Sequence, residues 1–341
     1  MSAQQMEDSA RALVAPGKGI LAMDESLPTI KKRFDAISLE STEETRRAYR
    51  ELLLTTPELE EFISGVILFD ETLRQSTRDG TPFTSVLRDK GITAGIKVDA
   101  GAKPLAGHPG EKVTEGLDGL RERLAEYRDL GARFAKWRAV ITIGDGIPSD
   151  ACLEANAHAL ARYAGLCQEA GLVPIVEPEV LIDGDHGIER CFEATEATLR
   201  RVFDELYRQG VTLECTLLKA SMVLSGKACP RQAGVQEVAE QTVRCLRRAV
   251  PGAVPGVVFL SGGQSAERAT AHLNAMNAMD VAHPWPLGFS YARALQEPAL
   301  KAWEGSDANL PGAQRALYHR AKLNSLARQG RYDEEMEKAA A

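Results

Sequence analysis

Lys219 stands in the run Thr216-Leu217-Leu218-Lys219-Ala220, a lysine at the end of an apolar segment. An exposed lysine is neutral in only about one molecule in 2,500 at pH 7, so it is useless as an amine nucleophile. Bringing its pKa to about 7 takes roughly 4–5 kcal/mol of differential destabilisation of the cation. Burial and neighbouring cations supply that, and Lys97, Lys136 and Arg138 are candidates for such neighbours. The bland alternative is a lysine snorkelling from a strand end. Glu177 and Glu179 flank Pro178. In a strand, residues i and i+2 share a face, so the two carboxyls point together, as do Lys136 and Arg138. Such a pair could hold one member protonated, and a protonated Glu177 could deliver a proton to a departing hydroxyl. The competing reading is a structural ion pair with Lys136 or Arg138. Asp24 fits a base for a substrate hydroxyl, or simply a helix cap after a strand.

Two groups of residues could hold anions. Ser261-Gly262-Gly263 follows an apolar run, and glycines let backbone N–H groups approach a phosphate at a helix start. Ser290 and Arg293, just beyond the next run, could complete that site, although a bare Ser-Gly-Gly can also be only a turn. A second anion site is suggested by Ser26, Thr29 and Arg33 together with Lys97; taken alone, Lys31-Lys32-Arg33 reads as a solvated helix face. Neither a Walker A loop nor a G-x-G-x-x-G fingerprint occurs, and the six histidines show no H-x-x-x-H spacing. Asp183-Gly184-Asp185-His186 looks metal-like, yet has no further ligands nearby in sequence and reads as a loop. The chemistry is therefore expected from side chains, with no cofactor and no metal.

These residues sit at the ends of eight β-like runs: Gly19–Met23, Ile63–Phe69, Ala94–Val98, Phe134–Ile141, Leu172–Val176, Leu213–Leu218, Gly256–Leu260 and Trp285–Phe289. Several are apolar throughout, as strands buried on both faces must be. Helix-period stretches lie between them. Leu117, Leu120, Leu124, Tyr127 and Leu130 form one, stopped by Gly131. Another runs from Ile188 through Phe192, Thr195, Leu199, Val202 and Phe203 to Leu206, stopped by Gly210. Ser41 with Glu44 resembles a capping box. Eight alternations of strand and helix fit either a closed (β/α)8 TIM barrel or a doubly wound open sheet. The charges decide for the barrel: nearly every run turns polar at its C-terminal end, and a barrel mouth is where such side chains are tolerated and used. One α/β domain over residues 1–332 is expected, with 333–341 a short flexible tail.

The net charge of −7 argues against nonspecific nucleic-acid binding and against anionic membrane surfaces. Any bound anion needs a local positive site. The N-terminal residues lack the basic and apolar regions of a signal peptide, and no run of 18 apolar residues occurs. Six scattered cysteines without a C-x-x-C pair read as reduced thiols, so a cytoplasmic location is expected.

The ordered segments Gly17–Ser26, Gly95–Asp99, Phe134–Arg138, Val173–Glu179, Leu217–Lys219, Leu260–Gln264 and Phe289–Gln296 closely resemble the class I fructose-bisphosphate aldolase family, over about residues 16–332. The resemblance implies a TIM barrel that cleaves fructose 1,6-bisphosphate reversibly to dihydroxyacetone phosphate and glyceraldehyde 3-phosphate, without a metal, usually as a homotetramer. It implies that Lys219 forms the imine and Glu177 serves carbinolamine dehydration with help from Lys136. Asp24 would take the C4 hydroxyl proton, and Glu179 would hold neighbouring charges. Ser261, Gly262 and Arg293 would bind the C1 phosphate; Ser26, Thr29, Lys97 and Arg138 would serve the C6 phosphate. Three features depart from the pattern. Leu27-Pro28-Thr29 replaces a small glycine-containing run, and Ala100 stands where many members carry a lysine. No tyrosine follows Tyr332, whereas animal members end in a tyrosine that aids proton exchange at the enamine carbon, so another group or water is expected there. A transaldolase-like enzyme would need one phosphate site rather than two, and a non-catalytic scaffold would be expected to lack Lys219, Glu177 or Asp24.

Overall fold

The computed structural model describes residues 2–340, with side chains through 338. Eight parallel strands close into a barrel in strictly sequential order. They are β1 (Gly19–Met23), β2 (Ile63–Leu68), β3 (Thr93–Lys97), β4 (Phe134–Ile141), β5 (Val173–Val180), β6 (Leu217–Ala220), β7 (Val257–Phe259) and β8 (Leu287–Tyr291). Closure is made by β1 on β8, with Ile20 opposite Ser290 and Leu21 opposite Tyr291. An open doubly wound sheet is thereby excluded. Helices join the strands, and a two-stranded antiparallel hairpin, Ala102–Pro104 with Lys112–Thr114, follows β3.

Period-two alternation divides the barrel interior into two levels. Ile20, Ala22, Ile67, Phe134, Val173, Ile175, Leu217 and Val258 form an apolar cluster, which helix α1 (Ala3–Leu13) joins through Met6, Ala10 and Leu13. Phe134 occupies the space that Gly65 and Gly95 leave: a Cβ on Gly95 would lie 2.2 Å from its ring. Continuing two residues at a time along the same faces reaches Asp24, Lys97, Lys136, Glu177 and Lys219. The alternate residues face outward and pack with the surrounding helices in a second, larger core that includes Trp137, Tyr163 and Phe289.

The first and fourth strands match their expected limits, and the others shift in an instructive way. β5 continues through Glu177-Pro178-Glu179 to Val180, with Glu177 paired to Arg138 and Glu179 to Val140 across the ladder. Hydropathy ends the run at Val176, but backbone pairing does not depend on side-chain polarity. The stretch from Leu213 begins as a 3-10 turn, Leu213–Cys215, and the strand starts only at Leu217, so Lys219 lies within it. The last strand is displaced two residues onward and contains Ser290. The expected cap at Ser41 and Glu44 falls one residue later: Thr42 and Thr45 bond each other's backbone N–H groups at 3.1 and 2.9 Å, opening α3 (Glu43–Leu54). The expected loose tail is partly tied down. Residues Glu334–Ala340 form a 3-10 stretch, and Glu337 meets Arg320 at 2.5 Å and Tyr332 at 2.8 Å. Ala341 lies outside the described residues.

Candidate active site

All fifteen residues singled out from the sequence line one cavity of about 940 Å³ at the C-terminal ends of the strands. They are Asp24, Ser26, Thr29, Arg33, Lys97, Lys136, Arg138, Glu177, Glu179, Lys219, Ser261, Gly262, Gly263, Ser290 and Arg293. Its lining carries nine Lys/Arg side chains against six Asp/Glu, a local positive excess in a chain of net charge −7. That is the local site an anion requires.

At the centre the charges alternate. Asp24 Oδ2 lies 2.7 Å from Lys136 Nζ, and Lys136 Nζ lies 3.3 Å from Glu177 Oε2. The other oxygen of Glu177 is 3.1 Å from Lys219 Nζ. The four side chains are between 4 and 11% exposed. Burial of such groups is costly, and mutual pairing offsets the cost. Burial alone would push Asp24 up, but Lys136 and then Lys219 outweigh it and hold the carboxyl well below the usual range. Glu177 behaves likewise: burial raises it, and Lys136, Lys219 and Arg138 bring it below its ordinary value. Lys136 is pushed down by burial, and its two carboxylate partners more than reverse this.

This arrangement corrects two expectations. Lys219 is not ringed by bare cations; its direct partner is Glu177, and the nearby cations carry carboxylates of their own. Lys97 pairs with Asp99 at 2.8 Å, and Arg138 pairs with Glu179. Nor is Glu177 paired with Glu179: Glu177 meets Lys136 and Lys219, and Glu179 meets Arg138. The ion-pair alternative is the one the geometry shows.

The two corners expected from the sequence to hold anions are built differently. Gly262 and Gly263 have φ of +56° and +88°, conformations that favour glycine, and they turn the chain from β7 toward the helix Ala266–Ala278. Gln264 braces this turn: its Nε2 donates to the Ser261 carbonyl at 3.0 Å, its Oε1 lies 2.6 Å from His272 Nδ1, and its carbonyl accepts from Arg293 at 3.3 Å. The Ser290 hydroxyl is buried with no hydrogen-bond partner among the described residues. The opposite corner relies on side chains. Ser26 precedes the short helix α2 (Leu27–Asp35), and its hydroxyl is 3.1 Å from that of Thr29. Arg33 reaches the cavity wall, paired with Glu25.

Asp99 and Glu25 also carry charge just beyond strand ends, and the sequence alone assigns them no role. Asp99 anchors Lys97, and its second oxygen accepts the Arg138 N–H at 3.3 Å. Their signal was the same as that of the assigned residues, charge at a strand end, and their partners could not be read from it.

The chain and its fold are similar to known proteins. A family model described as glycolytic fructose-bisphosphate aldolase class-I matches residues 5–341. The chain belongs to the class I fructose-bisphosphate aldolase family. Among curated relatives of this aldolase, the probable fructose-bisphosphate aldolase class 1 of Xanthomonas campestris pv. campestris is 64% identical over 97% of the chain and 99% of its own length. Fructose-bisphosphate aldolase C-B of Danio rerio is 52% identical over 96% of the chain and 91% of its own. Among solved structures, the fructose-bisphosphate aldolase of Plasmodium falciparum, determined with TRAP and a small-molecule inhibitor, superposes with a TM-score of 0.95 at 51% identity. That match covers 97% of this aldolase and 95% of the other chain. The barrel is thus the aldolase (β/α)8 fold in full, not a partial likeness.

Proposed function

We propose that this chain cleaves fructose 1,6-bisphosphate reversibly to dihydroxyacetone phosphate and glyceraldehyde 3-phosphate, by a metal-independent Schiff base on Lys219. The observation that carries the reading is the buried chain Asp24–Lys136–Glu177–Lys219, in which each group lies within proton-transfer distance of the next. Lys219 Nζ gives one proton to Glu177 Oε1 and, as the neutral amine, attacks the C2 ketone; a further proton moves from the nitrogen to the ketone oxygen as the carbinolamine forms. The carbinolamine nitrogen is neutral, so Glu177 loses Lys219 as a cationic neighbour at this step. Its proton affinity therefore rises just when a proton must reach the departing hydroxyl. Water leaves and a protonated imine remains. Asp24, ionised in the resting site, then accepts the C4 hydroxyl proton; the C3–C4 bond breaks, and its electron pair flows into the imine as an enamine. The aldehyde product departs, a water passes a proton to C3 and is reprotonated by Asp24, and a second water hydrolyses the imine to release the ketone. Lys136 stays between the two carboxylates and compensates whichever is charged.

Ser261, Gly262, Gly263, Ser290 and Arg293 are assigned to the C1 phosphate. Ser26, Thr29, Arg33, Lys97 and Arg138 are assigned to the C6 end, with Glu179 fixing Arg138. Residues 1–332 act as one catalytic domain. A homotetramer in the cytoplasm completes the proposal; among the described residues no helix is long and apolar enough to cross a membrane. Borohydride reduction in the presence of dihydroxyacetone phosphate, followed by peptide mass mapping, tests the central claim. The adduct is expected on Lys219, with activity surviving a chelator. An adduct elsewhere, or loss of activity with the chelator, overturns it.

A further inference from the structure

Glu25 follows Asp24 directly, two residues beyond the end of β1, and its side chain turns to partners other than those of Asp24. There it enters a cluster unrelated to the imine chemistry. Its Oε1 lies 2.5 Å from Arg33 Nη1 and accepts from Gln296 Nε2 at 2.9 Å; its Oε2 lies 2.7 Å from Arg50 Nη2. Gln296 also donates to the Ala22 carbonyl at 2.6 Å, tying the cluster to β1 itself. Burial raises the Glu25 carboxyl, and the two guanidiniums outweigh it and bring it below its ordinary value. Arg50 lies 5.8 Å over the ring of Tyr49, which packs edge-on against Phe34 of α2 and stacks on Trp303. Three elements thus converge on one carboxylate.

The charge count of this cluster is its informative feature. One carboxylate faces two arginines, leaving a net positive charge. Arg50 is 3% exposed and does not line the cavity, while Arg33 is 20% exposed and does. A simple Arg33–Glu25 pair would be rigid but neutral, and so a poor anion contact. With Arg50 neutralising Glu25 from behind, Arg33 is held in place and its charge stays uncompensated. We infer that Glu25 and Arg50 are a positioning pair that fixes Arg33 at the rim and preserves its charge for the second phosphate of the substrate. This rests on the aldolase reading above, and on Arg33 serving the phosphate remote from Ser261.

The test compares fructose 1,6-bisphosphate with fructose 1-phosphate, which lacks the phosphate in question. Arg50→Met leaves Glu25 to neutralise Arg33. The expected result is a KM for the bisphosphate raised about tenfold, the size of a lost charge-assisted contact, with KM and kcat on the monophosphate within about twofold of the parent. The double variant Glu25→Gln/Arg50→Met removes both buried charges and returns the charge of Arg33 without its anchor. It should recover part of the loss, to about threefold above the parent, and it keeps the comparison readable if the single variant does not accumulate. A merely structural clamp predicts otherwise: both substrates shifting in parallel, or neither shifting in a folded variant. Either result overturns the inference, as does a double variant no better than the single one. Failure of the parent enzyme to cleave either sugar would instead sink the aldolase reading.

Discussion

Along β4 the inward side chains run Phe134, Lys136, Arg138, and along β5 they run Val173, Ile175, Glu177, Glu179. Within two residues the same strands pass from a dry apolar layer to a layer of ion pairs. The lower layer is close-packed with α1 and has no tolerance for extra volume; a Cβ on Gly65 would lie 2.6 Å from Leu13. The upper layer borders a cavity, and its order comes from pairing of charge. The lower layer supplies free energy that a rigid frame needs, and the upper layer spends some of it to hold ionised groups out of water.

If that division is sound, substitutions at the two levels should separate activity from stability. The largest effect is expected from Lys219→Met: turnover of the sugar bisphosphate falls about 10⁴-fold or more, ~5.5 kcal/mol in the barrier, with little change in the unfolding midpoint. A variant that keeps its turnover would break the comparison at its upper end. Next comes Leu13→Ala, a fully buried floor residue. It should cost about 2–5 kcal/mol of stability in urea unfolding while kcat stays within about twofold. A proportional loss of kcat would show that the floor is part of the catalytic machinery.

The smallest effect sharpens the contrast through pH. Asp24 and Glu177 release their protons more readily in the folded chain, since their carboxyls are held below the ordinary 3.8 and 4.5. The unfolded chain therefore binds more protons as pH falls through these values. The stability they contribute is complete above that window and is lost on going down through the folded values. Lys136→Met removes the cation that most lowers both groups, so its acid loss should begin at a higher pH than in the parent. Urea midpoints between about pH 6 and pH 3 read this directly, and coincident acid profiles would contradict it.

Much of the site was legible because charge inside an apolar run is expensive, and period two tells which charges share a face. Lys136 with Arg138, and Glu177 with Glu179, follow from that rule alone. Strand ends were less legible. The candidate site residues are polar, so hydropathy stops where the strand does not, as at Glu177 and at Ser290. The Glu25–Arg50–Gln296 cluster could not be read at all, because its members lie 25 and 271 residues from Glu25, and Gln296 reaches it only when β8 closes on β1. The pairing of each cation with its own carboxylate was hidden for the same reason: a sequence shows which charges occur, and closure of the barrel chooses their partners.

Helix α1 has a practical corollary. It plugs the end of the barrel opposite the mouth, and its first turn, capped by Ser2, lies in solvent. A tether attached ahead of Ser2 would hold the molecule by its floor, so an enzyme immobilised on a solid support in that way presents an unobstructed entrance to incoming sugar.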